Sequence, residues 1–470
     1  MANRLSALDA SFLVSERART PAQIGSLSVF VPARSGFDYD ALVQLIEQRI
    51  AKVPRYRQKI RTVPAGITRP VWVDDNDFDI SFHVRRSALP APGSAAQLHE
   101  LVSRLVSRRL DPARPLWETY LVEGLAHGRV AIISKSHQAM VDGVGALELG
   151  HVILDDHPSN PSSRGQLWMP AAEPGHVSLL AEVLGGVVRH PAELVGAVRW
   201  IARDVTAAAC TVADVATRSA TQLRRLGKAD PPSPLNVTVS RQRRFATART
   251  DLADYRRVRA ARGATINDVV LAVVSGALRS WLLGRGDTVT TATTLRALAP
   301  VSVLEDSNSR DVVSSMGAPN SRVSPLLIDL PVGQPNPLLT VGAIAKATSA
   351  AAASRRLVGA GTLARLSGFA PPTLHALGAR LAGTLARRSF NVLITNVPGP
   401  QHPLYADGAR LVEMFPVVPL APMQALTVGI TSYDGKLYYG LNADRDALPD
   451  VAELAELIEQ SLRELVQVVA

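Results

Sequence analysis

A histidine stands five residues ahead of an aspartate-glycine pair where a strand-like run gives way to a helix-like one: ISKSHQAMVDGVGAL, Ile133 to Leu147. An imidazole at such a junction can take a proton from an alcohol or thiol as that group attacks an acyl carbon, because its ordinary pKa lies near neutrality. His137 is therefore the candidate base. Asp142 can turn back to hold the loop, and Gly143 permits a backbone approach that a side chain would block. Gln138 can orient a hydroxyl, but its amide cannot hold a proton. The pattern alone is unspecific, since a nearby histidine and aspartate, His151 and Asp155, fall on a helical stretch as an i,i+4 surface pair. No Gly-rich phosphate loop and no Gly-x-Ser-x-Gly elbow is present. Direct transfer between two bound substrates is thus expected, not a covalent acyl-enzyme.

The elements that must carry this loop are read from periodicity. IGSLSVFVP (Ile24–Pro32) predicts a strand, and DYDALVQLIEQRIAKVP (Asp38–Pro54) a helix capped by Asp38. VWVDDNDFDISFHVRR alternates like a strand with a turn inside it, and Ser94–Asp111 predicts a second amphipathic helix. Trp117 to Gln138 reads as a hairpin turning at Gly124–Gly128, followed by a helix after Gly143. His176 to Lys228 is an Ala/Val-rich stretch of helical period, and ADPPSPLN (Ala229–Asn236) is the clearest punctuation in the chain. Three parts are expected: residues 1–175 with the HQAMVDG motif, a helical bridge and linker over 176–235, and a second half over 236–470. In the last, Asp251 to Arg285 predicts helix, turn and a long buried helix. Strands are expected within residues 313–331, 389–400, 425–435 and 436–444, before a closing helix. Both halves mix strands and helices, so the fold class is α/β with mixed sheets in two layered domains.

The run RPLWETYLVEGLAHGRVAIISKSHQAMVDG resembles, nearly position by position, the core of the bacterial wax ester synthase/diacylglycerol acyltransferase family, whose signature is His-His-x-x-x-Asp-Gly. Other blocks follow in the right order: LSALDASFL, VPRYRQKI, GATINDVVLAVVSGALR, LRALAPVSV, NVLITNVPGPQHPLY and SYDGKLYYGLNAD. The resemblance implies a two-domain fold like that of CoA-dependent acyltransferases such as chloramphenicol acetyltransferase. The reaction centre would lie in a tunnel between the halves, reached by acyl-CoA from one side and by diacylglycerol or a long-chain alcohol from the other. The family's first histidine falls on His137, its aspartate on Asp142 and its glycine on Gly143. Its second histidine, the general base in that picture, falls on Gln138. TPAQIG departs too, with Gln23 where many relatives have histidine. Three readings stay open: His137 takes over as base, activity survives on proximity and oxyanion stabilisation alone, or the chain binds acyl lipids without transferring them. A condensation- or polyketide-associated acyltransferase is a further rival, weakened by the Asn391 and Ser432 blocks.

Other residues carry both a functional and a structural reading. Asn267 and Asp268 can shape the tunnel mouth, or cap the helix behind them. Asn396 can polarise the acyl oxygen, or belong to the rigid turn NVPGP. Asn320 and Ser324 are candidate donors to the oxyanion. Arg296 can pair with Asp142 and hold the loop as a structural partner, and Trp117 in PLWE reads as core packing.

Composition narrows the classes. With 47% hydrophobic and 20% charged residues over 470 positions, the chain is globular and large enough for two cores. The single cysteine, Cys210, excludes an internal disulfide and a cysteine-based metal site. No cofactor and no metal is expected, with acyl-CoA a substrate. The N-terminal residues lack a signal-peptide core and no apolar run is long enough to span a bilayer, so a cytoplasmic protein is expected. The net charge of +10 suits anionic partners, and the Ala/Val-rich bridge suits a peripheral place on a membrane or lipid droplet. Nucleic-acid motifs are absent.

Overall fold

The computed structural model describes residues 3–5, 7–33, 36–51, 53–62, 69–141, 153–158, 168–171, 173, 175, 233–303, 322–355 and 390–469. Asp142, Gly143, Asn320, the helix expected after Gly143 and the expected bridge over 176–228 lie outside them.

The first half opens with β1 (Asn3–Arg4), α1 (Ala7–Ser15), β2 (Gln23–Val31) and α2 (Tyr39–Ile50). Asp38 caps α2 by accepting from the Ala41 N–H at 2.9 Å, and Leu42, Leu45, Ile46 and Ile50 form its buried stripe. Next come β3 (Gln58–Arg61), β4 (Val71–Asp74), α3 (Ile80–His83) and β5 (Val84–Ala88). The segment expected as one interrupted strand thus contains a helical turn, because Asp79 caps the Ser81 N–H and starts it. α4 (Ala95–Val106) begins at a capping box between Ser94 and Gln97. β6 (Trp117–Glu123) and β7 (Val130–His137) form the expected hairpin, and α5 (Gln138–Val141) follows without a break.

The second half contains β8 (Arg243–Asp251), α6 (Leu252–Arg262), α7 (Ile266–Gly284), β9 (Leu295–Val303), β10 (Arg322–Leu330) and α8 (Pro337–Arg355). It continues with β11 (Val392–Val397), β12 (Tyr405–Ala406), β13 (Ala409–Val417), β14 (Leu426–Tyr433), β15 (Lys436–Asp444) and α9 (Val451–Val469). Gly263 ends α6 at φ 63°, a left-handed position that a side chain would strain. α7 is long and apolar enough to cross a membrane by length and composition, yet its Val269–Val274 run and Trp281 lie in the core of the second sheet.

Two six-stranded mixed sheets result, in the orders β12-β13-β2-β7-β6-β5 and β10-β9-β11-β14-β15-β8; β1, β4 and β3 form a third. β13 follows the expected division at residue 236 yet pairs with β2 in the first sheet. It also lies against the second. Gly429 and Gly440 are paired across β14 and β15, and a Cβ on either would collide with Pro416. These two glycines make the hollow into which β13 fits. Tyr433 and Tyr438 donate from the second sheet to the Leu411 and Val412 carbonyls, at 3.0 and 2.9 Å. One core packs on the first sheet and another on the second, and Phe245, Tyr433 and Tyr438 of the second half belong to the first core.

Candidate functional site at the end of β7

β7 delivers His137 as its last residue, opposite Gln23 of β2. The ladder does not stop there: the His137 N–H donates to the Leu116 carbonyl and the Gln138 N–H to that of Ala22, each at 2.9 Å. The turn into α5 is therefore fixed from both neighbouring strands.

His137 is 1% exposed. The Ala139 N–H donates to its Nδ1 at 3.0 Å, so Nδ1 presents a lone pair and the neutral ring carries its proton on Nε2. Nε2 has no hydrogen-bond partner and lies 4.0 Å from Glu16 Oε2. Glu16 is held in turn by Arg109, which donates to Oε2 at 2.5 Å, and by the Ala22 N–H at 3.3 Å. Burial pushes the His137 pKa below its ordinary value; Glu16 opposes that shift and Arg109 adds to it. One ring nitrogen is occupied and the other protonated, so the ring offers no free lone pair to an incoming hydroxyl. This geometry runs against the expected role of His137 as base. Gln138, by contrast, is half-buried and starts α5. Beside the histidine, Gln23 is buried with neither amide atom hydrogen-bonded.

The other candidates divide. Asn267, in the first turn of α7, and Asn396, on β11, are brought together: Asn396 Nδ2 donates to Asn267 Oδ1 at 3.2 Å. Asp268 is occupied at both oxygens, by the Thr265 N–H at 2.8 Å and the Thr348 hydroxyl at 2.7 Å, and so caps α7. Ser324 sits on β10 opposite Val301. Arg296 binds Asp329, its cross-strand partner, at 2.8 Å. Trp117 is fully buried, donates to the Tyr56 carbonyl at 2.8 Å and stacks on His83. Among the described residues no group of three or more His, Cys, Asp or Glu side chains is arranged to hold a metal ion.

Sequence reasoning missed Glu16 and Arg109, which no spacing ties to His137. It also missed Lys135, where the signal was available: a lysine at an inward position of an apolar strand. Lys135 is 2% exposed, pairs with Glu118 at 3.0 Å and donates to the Leu105 and Arg108 carbonyls at the end of α4.

Comparison with known proteins places this geometry in a context. The family model described as the wax ester synthase/diacylglycerol acyltransferase catalytic domain matches residues 5–270, and the model of the corresponding C-terminal domain matches residues 321–466. A probable diacylglycerol O-acyltransferase of Mycobacterium tuberculosis, tgs1, is 34% identical over 471 residues, covering 99% of this chain and 96% of that protein. A second, tgs3, is 46% identical over 261 residues, 55% of this chain and 96% of its own length. The solved wax ester synthase/diacylglycerol acyltransferase from Marinobacter aquaeolei VT8 superposes with a TM-score of 0.70 at 27% identity, covering 99% of each chain. A condensation domain of the calcium-dependent antibiotic synthetase shares the fold alone, with a TM-score of 0.58 at 16% identity over 100% of this chain and 97% of that one.

Proposed function

Since the chain belongs to the wax ester synthase/diacylglycerol acyltransferase family, we propose that it moves a fatty acyl group from acyl-CoA to the hydroxyl of diacylglycerol or of a long-chain alcohol, and that it does so without an imidazole base. The family's second histidine is read here as Gln138. The observation that carries the reading is the contrast at the end of β7: a half-buried amide beside a sealed imidazole whose Nδ1 lone pair is taken by the Ala139 N–H and whose Nε2 carries the ring proton.

In this mechanism the Gln138 amide oxygen accepts from the acceptor hydroxyl and aims its oxygen at the thioester carbon. The C–O bond forms, the C–S bond breaks, and the hydroxyl proton ends on the departing sulfur. A thiol with a pKa of about 8.5 leaves far more readily than an alkoxide, so the missing base slows the step without forbidding it. General-base assistance is worth about 10²–10⁴ in rate, which is the expected deficit. Asn396, with an N–H left after its bond to Asn267, is a candidate donor to the acyl oxygen; Asn320 and Ser324 are others, and Asp142 with Gly143 the loop organiser. Because both acceptors partition into lipid, the reaction belongs at a membrane or lipid-body surface facing the cytoplasm.

A second reading, an acyl-lipid binder that has lost transfer, is favoured by the same burial of His137. Turnover of acyl-CoA with diacylglycerol by the natural chain, Gln138→His and His137→Ala separates them. We expect slow transfer by the natural chain, a gain of about 10²–10⁴ in Gln138→His, and a less stable His137→Ala whose folded fraction keeps turnover within about threefold. A natural chain with no transfer, activated by Gln138→His, establishes the silent binder. Loss of all transfer in a folded His137→Ala makes His137 the base and overturns the proposed mechanism.

A further inference from the structure

Away from the end of β7, the C-terminal end of α4 and the edge strand β5 border a half-open cavity of about 280 Å³ lined by Arg85, Arg86, Arg104 and Arg108, with Ser87 and Tyr120; Arg86, Arg104 and Arg108 are exposed. Leu101 and Leu105 close its helix side. Four guanidinium groups around one small cavity repel one another, and Arg104, in the last turn of α4, and Arg108, two residues beyond its end, set like charges side by side. An isolated fold gains nothing from that arrangement. It becomes favourable when an anion fills the middle.

The local charge balance sharpens this point. Glu123 binds Arg86 at 2.5 Å, and the buried Glu118 is matched by Lys135 at 3.0 Å. Arg85 approaches Glu118 no closer than 3.6 Å and spreads over the Phe82 and Tyr120 rings. Arg104 and Arg108 form no ion pair among the described residues. Roughly three positive charges therefore remain uncompensated around one cavity. The wall is also built: the Tyr120 hydroxyl donates to Glu118 at 2.6 Å, and Lys135 ties Glu118 to the Leu105 carbonyl in the last turn of α4 and to the Arg108 carbonyl just beyond it.

We propose that this cavity is a binding site for a phosphate dianion, as a phosphate ester or pyrophosphate. Guanidinium forks match phosphate and carboxylate alike, but several cations lining one cavity suit a doubly charged tetrahedral group better than a single carboxylate. A soluble phosphate ester and the headgroup of an anionic phospholipid present the same chemistry. The site stands independently of acyl transfer, so its test does not involve turnover.

The experiment uses the full chain, with Arg104→Gln/Arg108→Gln as the site variant and Arg256→Gln/Arg259→Gln, exposed on α6, as a variant of equal net charge. Inorganic pyrophosphate and adenosine 3′,5′-bisphosphate are titrated by calorimetry. Vesicles of phosphatidylcholine with and without phosphatidic acid are tested by co-sedimentation. All samples are first checked for an unchanged urea midpoint. We expect binding by the natural chain and by Arg256→Gln/Arg259→Gln, weakened about tenfold or more in Arg104→Gln/Arg108→Gln. Binding of the soluble probes identifies a free phosphate ester as the source; binding of phosphatidic acid vesicles alone identifies a headgroup; each supports the site. No binding of any probe overturns it, as does equal loss in the two double variants, which would mean diffuse attraction. Should Arg104→Gln/Arg108→Gln shift the urea midpoint, Arg108→Lys decides: retained charge with a lost fork is expected to weaken binding, and unchanged binding overturns the proposal.

Discussion

Along α4 and its C-terminal cap, His99, Ser103 and Ser107 recur every four residues and meet β8 at every second residue. The Ser103 hydroxyl accepts from the Phe245 N–H at 2.8 Å and the Ser107 hydroxyl from the Arg243 N–H at 3.0 Å, while His99 Nε2 pairs with Thr247 Oγ1 at 3.0 Å. The match is geometric: four residues of helix rise about 6.0 Å and two of strand about 6.6 Å. Each serine also donates to the carbonyl four residues back, at 2.6 Å. Further along, Glu459 of α9 takes the Arg249 N–H at 3.2 Å. The open edge of the second sheet is thereby covered, hydrogen bond by hydrogen bond. The end of β7 treats buried polar groups in the opposite way, leaving the Gln23 amide and His137 Nε2 without partners. Satisfied groups hold architecture, whereas unsatisfied ones cost stability and are kept where a ligand or a reacting group can use them.

Lys135 joins the two regions, since it leaves β7 two residues before His137 and grips the end of α4. Replacing it by methionine strands the Glu118 carboxylate in the interior. The expected cost is about 3–5 kcal/mol, read as a large fall in the urea midpoint. Lys135→Met/Glu118→Gln is expected to regain part of it. A midpoint unchanged in Lys135→Met would mean that the two regions are not tied through this pair.

The covered edge carries a pH signature. Burial pushes His99 down to about 4 from its ordinary 6.5. The unfolded chain therefore binds a proton that the folded one refuses. Stability from this site is complete above pH 6.5 and is lost as pH falls from 6.5 toward about 4. Between pH 7 and pH 5 the loss is about 2 kcal/mol, and His99→Gln is expected to remove that part of the slope. An unchanged slope would show that the α4–β8 seam opens to solvent at low cost.

Ser103→Ala tests the seam without charge. It leaves the Phe245 N–H buried and unpaired, an expected cost of about 1–2 kcal/mol in urea unfolding. Ser103→Thr, which keeps the hydroxyl, is expected to restore most of it.

Local features were legible in the chain because local physics sets them. Asp38 announces α2, the apolar run in Ile24–Pro32 announces β2, and the cap reading of Asp268 marks the start of α7. The α4–β8 seam was not, because residues 99–107 and 243–247 meet across more than 130 positions, and serine on a helix reads as solvent-facing. β8, with burial interrupted by exposed arginines, carried too weak a period to be seen. β13 was hidden for another reason: its partner β2 lies almost 400 residues upstream, and only the Gly429–Gly440 hollow explains its place. At the candidate site, His137 and Gln138 stood out by type and order. What the ring faces did not, since Glu16 and Arg109 arrive from other elements.

Gln23 gives the finest test of the contrast. Its amide is buried beside His137 and makes no hydrogen bond, so Gln23→Leu removes desolvated polar atoms and loses no bond. The folded state is expected to be unchanged or slightly more stable, within about 0.5 kcal/mol, the reverse of what Ser103→Ala does at equal burial. If the amide is kept for a ligand's hydroxyl or carbonyl, the same variant weakens retention of diacylglycerol or acyl-CoA while the urea midpoint holds. A clear fall in the midpoint would instead reveal a partner for Gln23 within the fold, and the distinction between a satisfied seam and an unsatisfied strand end would fail there.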